Sequence, residues 1–460
     1  MRRIEDAGST ELKVSPLPPL LLSVRLPTLL ARVWRSHLSP RAIYGPIRRD
    51  RISFIIFRLD GLGDVVMTTP LFRELKRAYP DSHCTAVVHR ALRPLLVTNP
   101  YIDQIVTPPE VKPSWLPKGA RTLLAALLLC WRSLRREHYD VAISPRWEVD
   151  EHLATMLCVL SSASERVGYS ERVSPIKQRL NQGFDAAFSL CLSAGPVQHE
   201  VLRNLAIVEV LGGKVEDTRL EVRLTERDRE FAAKLLANVP ASARMIALGI
   251  GAKSASRQWP LERYAETISA LAGQHPLYPV LICSPAEHQQ ATRLAQLLDS
   301  ESIILCGAPL RGVCAVLESC HLFLGNDSGS AHLAAAMDCK TVVISRHPEN
   351  GDPNHPNSPL RFAPYCRERR VLQPASGLDT CTDGCSSREP HCITAVSVQD
   401  VVAAAQEMLG VTGVADRGEH PPSPASLKVV PVAKHRPPAW PGRVSRGKSN
   451  EDRPEVTPTP

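Results

Sequence analysis

The stretch Ile52-Ser-Phe-Ile-Ile-Phe57, continued by Arg58-Leu-Asp-Gly-Leu-Gly-Asp64, decides the fold. Its first part is short and almost entirely apolar, which is typical of a strand covered on both faces of a sheet. Its second part is a turn with two glycines, and a helical pattern follows over 65–79. A buried strand, a glycine-containing turn and a helix form the first unit of a parallel, doubly wound α/β sheet.

The same alternation of apolar runs and helical stretches continues along the chain. In the first half it predicts strands at 83–88, 103–106 and 140–144, with the clearest helix at 120–137. A second series of strands is predicted at 245–250, 279–283, 302–305, 321–324 and 341–345. Two series predict two Rossmann-like domains, 52–235 and 236–412, joined by a linker near 225–243 and separated by a ligand-binding cleft.

Charge is concentrated at the two ends of the 460-residue chain. Residues 1–51 hold ten basic and four acidic residues, and 416–460 hold eight and five. The body between them is close to neutral, so no nucleic-acid partner is expected. Ten of the forty prolines fall in the last 45 residues, and this composition predicts a disordered tail over 413–460.

The arm formed by residues 1–51 is basic and leucine-rich. Prolines and Arg25 interrupt its apolar part, so neither a signal peptide nor a membrane span is expected. Arg25, Arg32, Arg35 and Arg41 among leucines would suit a peripheral position on an anionic membrane surface. An extension without a role, or a start codon placed too early, is the alternative. Singly scattered cysteines favour a cytoplasmic protein.

The first candidate site is the turn after the first strand. Gly61 and Gly63 allow close approach of the backbone to a ligand, and Asp64 stands at the start of the helix. Asp64 is either a helix cap or a catalytic base. A dinucleotide site fits poorly because Val66 replaces the third glycine and the second strand ends without an acidic residue.

Two further loops follow strands of the second half. Residues 325–332 offer Ser328 and Ser330 at a helix start suited to a diphosphate, although Asp327 would repel a phosphate unless its side chain points elsewhere. Residues 249–260 offer Lys253 and Arg257 as cations. The alternatives are a capped helix in the first case and solvated basic residues in the second.

In this combination the motifs resemble glycosyltransferase family 9, the heptosyltransferases of lipopolysaccharide core synthesis. The resemblance covers about 52–410, and the segments that carry it are the Arg58–Asp64 turn with Thr68-Thr-Pro70, Tyr139-Asp140, Arg166-Val-Gly-Tyr169, His199, Arg257-Gln-Trp-Pro260 and Asp327-Ser-Gly-x-x-His332. It implies the GT-B fold, an inverting transfer from ADP-heptose, no cofactor and no essential catalytic metal. The implied partners are a nucleotide-sugar donor and a lipid A or core oligosaccharide acceptor.

The resemblance also implies roles for individual residues. Asp64 matches the general base, Arg257 the cation on the leaving diphosphate, and Asp327 a contact to the donor sugar. The remaining donor-site candidates are Ser328 and Gly329 on phosphate, Lys253 as a second cation, and Glu287 on the ribose. Residues 346–352 depart from the family pattern in a loop expected to face the donor. This departure leaves open a transferase with another sugar donor, or a GT-B-like binding or assembly factor without turnover.

Four cysteines near the C-terminal end form a separate group. Cys381, Cys385 and Cys392 could hold a structural metal or act as a redox pair, with Cys366 distant in sequence. Unligated thiols in a packed loop and a labile disulfide are the alternatives.

Overall fold

Two parallel β-sheets, one from each half of the chain, organise the protein. The computed structural model describes residues 51–112, 115–134, 137–273, 276–377, 389–410 and 429–430. The predicted N-terminal arm, apart from Arg51, and the predicted tail, apart from Val429–Val430, therefore lie outside the described residues. In the described part, no helix combines the length and apolar character needed to span a membrane.

The first sheet contains six parallel strands. They are β1 (Ser53–Arg58), β2 (His83–Val88), β3 (Gln104–Val106), β4 (Val141–Ser144), β5 (Glu165–Tyr169) and β6 (Leu190–Leu192). Their order is β6-β5-β4-β1-β2-β3. The chain reverses direction across the sheet between β1 and β4, so the loops after these two strands border the crevice where ligands of such sheets bind.

Helices cover both faces of this sheet. They are α1 (Leu62–Ala78), α2 (Arg93–Leu96), α3 (Lys118–Arg132), α4 (Ala154–Leu160), α5 (Pro175–Leu180) and α6 (Glu200–Val210). Phe54 and Ile56 of β1 pack in the core formed with α1 and α6. Ile55 and Phe57 pack in the opposite core, with α3 and α4. Burial on both faces explains why the predicted first strand has almost no polar residue.

The second sheet repeats this architecture. Its strands are β7 (Arg244–Gly249), β8 (Leu277–Cys283), β9 (Ile303–Cys306), β10 (Leu322–Asn326), β11 (Thr341–Ile344) and β12 (Arg369–Leu372), in the order β12-β11-β10-β7-β8-β9. Its helices are α7 (Glu226–Leu235), α8 (Leu261–Ala272), α9 (His288–Leu297), α10 (Leu310–Ser319), α11 (Gly329–Ala336), α12 (Pro359–Phe362) and α13 (Val398–Met408). The strand order reverses between β7 and β10. The prediction of two Rossmann-like sheets is confirmed.

The segment 225–243, predicted as a linker, contains the helix α7. Its start is fixed by a capping box, in which the backbone N–H of Thr225 donates to Asp228 Oδ2 at 2.8 Å. Phe231 packs so closely on α10 that a Cβ at Gly312 would lie 2.8 Å from its ring. The helix is thus tied to the second sheet, and the domain limits at 235 and 236 stay a prediction.

Smaller differences occur at other boundaries. Helix α3 begins at Lys118 and ends at Arg132, five residues before the predicted end. Strands β5 and β6 have no counterpart in the prediction. Within the predicted tail, β13 (Val429–Val430) pairs antiparallel with β6.

Candidate active site

A cavity of about 930 Å³ lies between the carboxyl ends of the two sheets. The loops after β1 and β4 line it from the first half, and the loops after β7, β8 and β10 line it from the second. The structure brings all nine predicted site residues to this one cavity: Gly61, Gly63, Asp64, Lys253, Arg257, Glu287, Asp327, Ser328 and Gly329.

Asp64 has two separate partners at the start of α1. The helix begins at Leu62 with Gly61 as its N-cap residue, so Asp64 is the third helical residue rather than the cap. One carboxylate oxygen, Oδ2, accepts from the Gly61 N–H at 3.1 Å, and Oδ1 accepts from Arg58 Nη2 at 3.1 Å. The side chain remains 24% exposed. Asp64 thus stabilises the helix start while its carboxylate stays accessible from the cavity.

Arg58 also binds Asp60, and the two carboxylates differ in their surroundings. Arg58 Nη1 lies 3.3 Å from Asp60 Oδ2, and Arg146 binds the other oxygen of Asp60. Burial acts to raise the pKa of Asp60, but the two guanidinium groups outweigh it and lower that pKa. Burial raises the pKa of Asp64 above its ordinary value against the opposing effect of Arg58. Asp64 is therefore the more basic carboxylate of the pair.

On the other side of the cavity, Arg257 binds Asp327. Its Nη2 lies 2.7 Å from the backbone O of Asp327 and 2.7 Å from its Oδ2. This ion pair compensates the negative charge that would repel a phosphate at the start of α11. Ser328 and Ser330 lie beside it, with their hydroxyl oxygens 2.9 Å apart.

A buried asparagine holds these two loops together. Asn326, at the end of β10, accepts from the Trp259 N–H at 2.9 Å and from the Tyr264 hydroxyl at 3.1 Å. Its amide donates to the backbone O of Ile250 at 2.6 Å. Because these bonds fix the segment that carries Arg257 against the strand that precedes Asp327, they preorganise the ion pair.

Glu287 lies on the part of the cavity formed by β8 and β9. Its Oε2 accepts from the backbone N–H of Ser284 at 2.9 Å and from the Ser284 hydroxyl at 2.8 Å. A Cβ at Gly251 would lie 2.3 Å from Glu287 Oε1, so a larger residue there would displace the Glu287 carboxylate. Lys253 is exposed, and no ion pair of its side chain with a described residue is found.

The two halves approach each other closely at the starts of α1 and α11. A Cβ at Gly63 would lie 2.5 Å from the ring of His332, and a Cβ at Gly329 would lie 2.7 Å from Leu62. Buried His332 lines the cavity, and its Nδ1 has no hydrogen-bond partner among the residues that the structure describes. Burial lowers the pKa of His332 although Asp327 and Asp64 act to raise it, so the ring is neutral near pH 7.

A second set of contacts between the halves was not predicted from the sequence. Arg361 of α12 is fully buried and binds Glu148 and Glu200 of the first half, with its Nη2 2.6 Å from Glu200 Oε1. Arg203 binds the same Glu200 oxygen at 2.7 Å. No local pattern marks Arg361, because its partners are 161 and 213 residues away in the chain.

The structure corrects the expected position of the divergent loop 346–352. None of these seven described residues lines the cavity, and the wall there is formed by Pro356, Asn357 and Phe362. Arg346 contacts the residue next to Arg257, because its Nη1 donates to Ser256 Oγ at 2.9 Å. The loop therefore supports the segment beside Arg257 without reaching the cavity itself.

The cysteine group is only partly described. Cys366 and Cys392 are buried and carry free thiols, whereas Cys381 and Cys385 lie outside the described residues. Over the described ranges, no cluster of three or more His, Cys, Asp or Glu side chains is arranged to hold a metal ion. The alternatives for these cysteines remain predictions.

Two Rossmann-like domains that face each other across one cavity form the GT-B fold. Similar solved structures include a glycosyl transferase family 9 protein from Veillonella parvula DSM 2008, with a TM-score of 0.62 and 20% identity, covering 78% of this chain and 98% of that one. E. coli heptosyltransferase WaaC with ADP has a TM-score of 0.57 and 18% identity, covering 78% and 100%.

Sequence comparison leads to the family. Residues 128–351 match the family model "Glycosyltransferase family 9 (heptosyltransferase)". Lipopolysaccharide heptosyltransferase 3 of Escherichia coli (strain K12) is 25% identical over 62% of this chain and 78% of its own length. Lipopolysaccharide heptosyltransferase 2 of Salmonella typhimurium (strain LT2) is 22% identical over 77% and 97%. The resemblance to glycosyltransferase family 9 that the motifs predicted is confirmed.

Proposed function

We propose that the protein moves a heptose or a related sugar from ADP-heptose or another nucleotide diphosphate sugar to a lipopolysaccharide core-type acceptor. The observation that carries the proposal is the shared cavity, with Asp64 on one side and the Arg257–Asp327 pair at the start of α11 on the other. The names of the relatives support this donor and acceptor class. The first half would bind the acceptor and the second half the donor.

Asp64 is the proposed general base. A carboxylate with a raised pKa binds a proton more tightly than an ordinary aspartate does. It would take the proton from the acceptor hydroxyl as that oxygen attacks the anomeric carbon and the bond to the diphosphate breaks. A single displacement of this kind inverts the anomeric configuration, which is why we propose an inverting transferase.

The start of α11 and the nearby cations are proposed to bind the leaving diphosphate. Backbone N–H groups of Gly329 and Ser330, the first two residues of α11, would donate to phosphate oxygens, with Arg257 and Lys253 adding positive charge. Stabilising the charge that develops on the leaving group lowers the barrier of the transfer. These groups supply that charge from the protein itself, in line with the proposal of metal-independent catalysis.

The nucleoside is proposed to bind between the ends of β8 and β9. Apolar side chains of Ile282, Leu310 and Val313 line this part of the cavity and would cover a base. Glu287 lies at its edge, where its carboxylate would accept hydrogen bonds from ribose hydroxyls. One solved relative is described with ADP, which supports a nucleoside diphosphate at this position.

Thermal unfolding of the purified protein with a panel of nucleotide diphosphate sugars tests the donor class. We expect ADP and ADP-linked sugars to raise the Tm, and an Arg257→Ala variant to lose most of this increase. A protein whose Tm responds to none of the nucleotides would contradict the proposal.

The same panel of nucleotide diphosphate sugars also distinguishes two alternative functions. A binding or assembly factor would bind a nucleotide sugar without releasing the free nucleotide when an acceptor is added. A transferase for another donor would respond to a different sugar nucleotide. The divergent 346–352 loop favoured both alternatives in the sequence, and its position outside the cavity lining weakens that support.

A further inference from the structure

Helix α3 presents an apolar stripe on its outer surface. Leu124, Leu127 and Trp131 recur at spacings of three and four and are 40%, 44% and 65% exposed. Trp115, in the turn before the helix, is 81% exposed. A contiguous group of exposed leucine and tryptophan side chains is unusual on a protein surface that faces only water.

The opposite face of α3 is already occupied. Ala126, Leu129 and Cys130 are buried in the core with Phe57 and Val87 of the first sheet. The helix is therefore apolar on both faces, and such a helix is normally covered on both. Among the described residues, nothing buries the outer stripe.

The charge around the stripe indicates what covers it. Between Glu110 and Glu137 the chain has six basic residues and no acidic residue, although the body of the chain is close to neutral. Lys112 and Arg132 among them are exposed. Exposed leucine and tryptophan flanked by lysine and arginine match an anionic bilayer surface, where apolar side chains enter the headgroup region and cations meet lipid phosphates.

The topology places the first turn of α3 at the same end of the sheet as the cavity. Helix α3 connects β3 to the parallel strand β4, so it runs opposite to the strands and starts at their carboxyl ends. The active-site cavity lies at that same end. Trp115 and the first turn of α3 are therefore the part of this surface nearest to the cavity.

We propose that α3 and the Trp115 turn form a peripheral contact with an anionic membrane surface. The proposal extends the proposed function, because a lipid-linked acceptor would meet the cavity at the edge of this contact. The contact itself requires no sugar transfer. It also differs from the predicted role of the arm 1–51, since it lies in the folded first half.

Co-sedimentation of the full chain with vesicles tests the contact. The probes are phosphatidylglycerol/phosphatidylethanolamine vesicles and phosphatidylcholine vesicles, both free of lipopolysaccharide, so the outcome is independent of the transferase test. We expect salt-sensitive binding to the anionic vesicles alone. Leu127→Gln/Trp131→Gln should reduce the bound fraction about tenfold or more, and Arg132→Gln should reduce it less.

Leu297→Gln on α9 is the matched control, because Leu297 is 41% exposed and lies on the second half. It should bind vesicles as the unmodified chain does, and both variants should keep the parent Tm. Equal binding by Leu127→Gln/Trp131→Gln and the parent chain would overturn the proposal. Loss of binding only after deletion of 1–50 would overturn the proposal and assign the membrane contact to the arm. A dimer that dissociates in Leu127→Gln/Trp131→Gln would overturn it by showing that a second copy of the chain covers the stripe.

Discussion

At the scale of single residues, Asp60 and Asp64 both pair with Arg58, yet the pKa of Asp60 is lowered and that of Asp64 is raised. Asp60 receives a second guanidinium from Arg146 and is the more acidic. Asp64 makes a direct ion pair with Arg58, and burial raises its pKa, so it is the more basic of the two. This difference in surroundings, rather than in residue type, supports the proposed role of Asp64 as the general base.

The raised pKa of Asp64 predicts the acid side of the pH profile. A general base acts in its ionised form, so turnover should fall as the pH drops through the raised pKa, at a higher pH than an ordinary aspartate would give. The measurement is kcat against pH with saturating substrates. A rate that stays constant down to the ordinary aspartate range would exclude Asp64 as the titrating base.

The Arg257–Asp327 pair predicts a non-additive result in diphosphate binding. Arg257→Ala should weaken ADP binding about tenfold or more, because it removes a cation and also leaves Asp327 facing the phosphate uncompensated. Adding Asp327→Asn should recover part of the loss. Calorimetry of ADP binding to the two single variants and the double variant measures this. Unchanged affinity in Arg257→Ala would assign the cation role to Lys253.

Sequence reasoning located these residues because polar loops after parallel strands meet at one edge of a sheet. It could not pair Arg257 with Asp327, which are 70 residues apart, and it left the direction of the Asp327 side chain open. His332 appeared only as the last residue of a motif. Its contact with Gly63 depends on how the two halves pack.

At the scale of elements, α1 and α11 meet at their starts, and each helix has a glycine at this contact, Gly63 on α1 and Gly329 on α11. Gly63→Ala should lower both stability and turnover, since the new Cβ would lie 2.5 Å from the His332 ring. Gly61→Ala is the control in the same turn, because its Cβ would meet only Asp64 Oδ2 at 3.4 Å. Thermal unfolding of both variants should separate them, and an equal change in Tm would contradict the close contact.

Element prediction succeeded where a strand is buried on both faces, as in β1, because an uninterrupted apolar run is hard to mistake. It missed α7, whose polar outer face and short length resemble a linker. The capping box at Thr225 and Asp228 was the available signal. Strand β6 has only three residues, too few to show a periodicity.

At the scale of the whole molecule, a buried ion-pair cluster joins the two halves. Arg361→Met should lower the free energy of unfolding by about 3–5 kcal/mol, because Glu148 and Glu200 would lose their shared cation. Leu360→Ala, at a neighbouring side chain that is 64% exposed, should change it by less than about 0.5 kcal/mol. Urea unfolding at pH 7 measures both, and a similar small effect in the two variants would contradict the structural role of Arg361.

The contribution of this ion-pair cluster to the free energy of unfolding depends on pH, and the direction follows from the pKa of Glu200. Burial acts to raise the pKa of Glu200, but Arg361 and Arg203 outweigh it and lower that pKa. Its stabilising contribution is therefore present above the unfolded-state pKa of a glutamate and is lost as the pH falls through the lower folded-state value. Arg361→Met should lose less stability than the parent chain over this acid range.

The central claim is that the shared cavity performs sugar transfer with Asp64 as base. Mass spectrometry of a lipopolysaccharide core acceptor incubated with ADP-heptose tests it most directly, using the parent chain and Asp64→Asn. The parent should add one sugar to the acceptor, and Asp64→Asn should do so roughly a hundredfold more slowly while binding ADP normally. Transfer by Asp64→Asn at the parental rate, or no transfer by the parent from any nucleotide sugar offered, would contradict the claim.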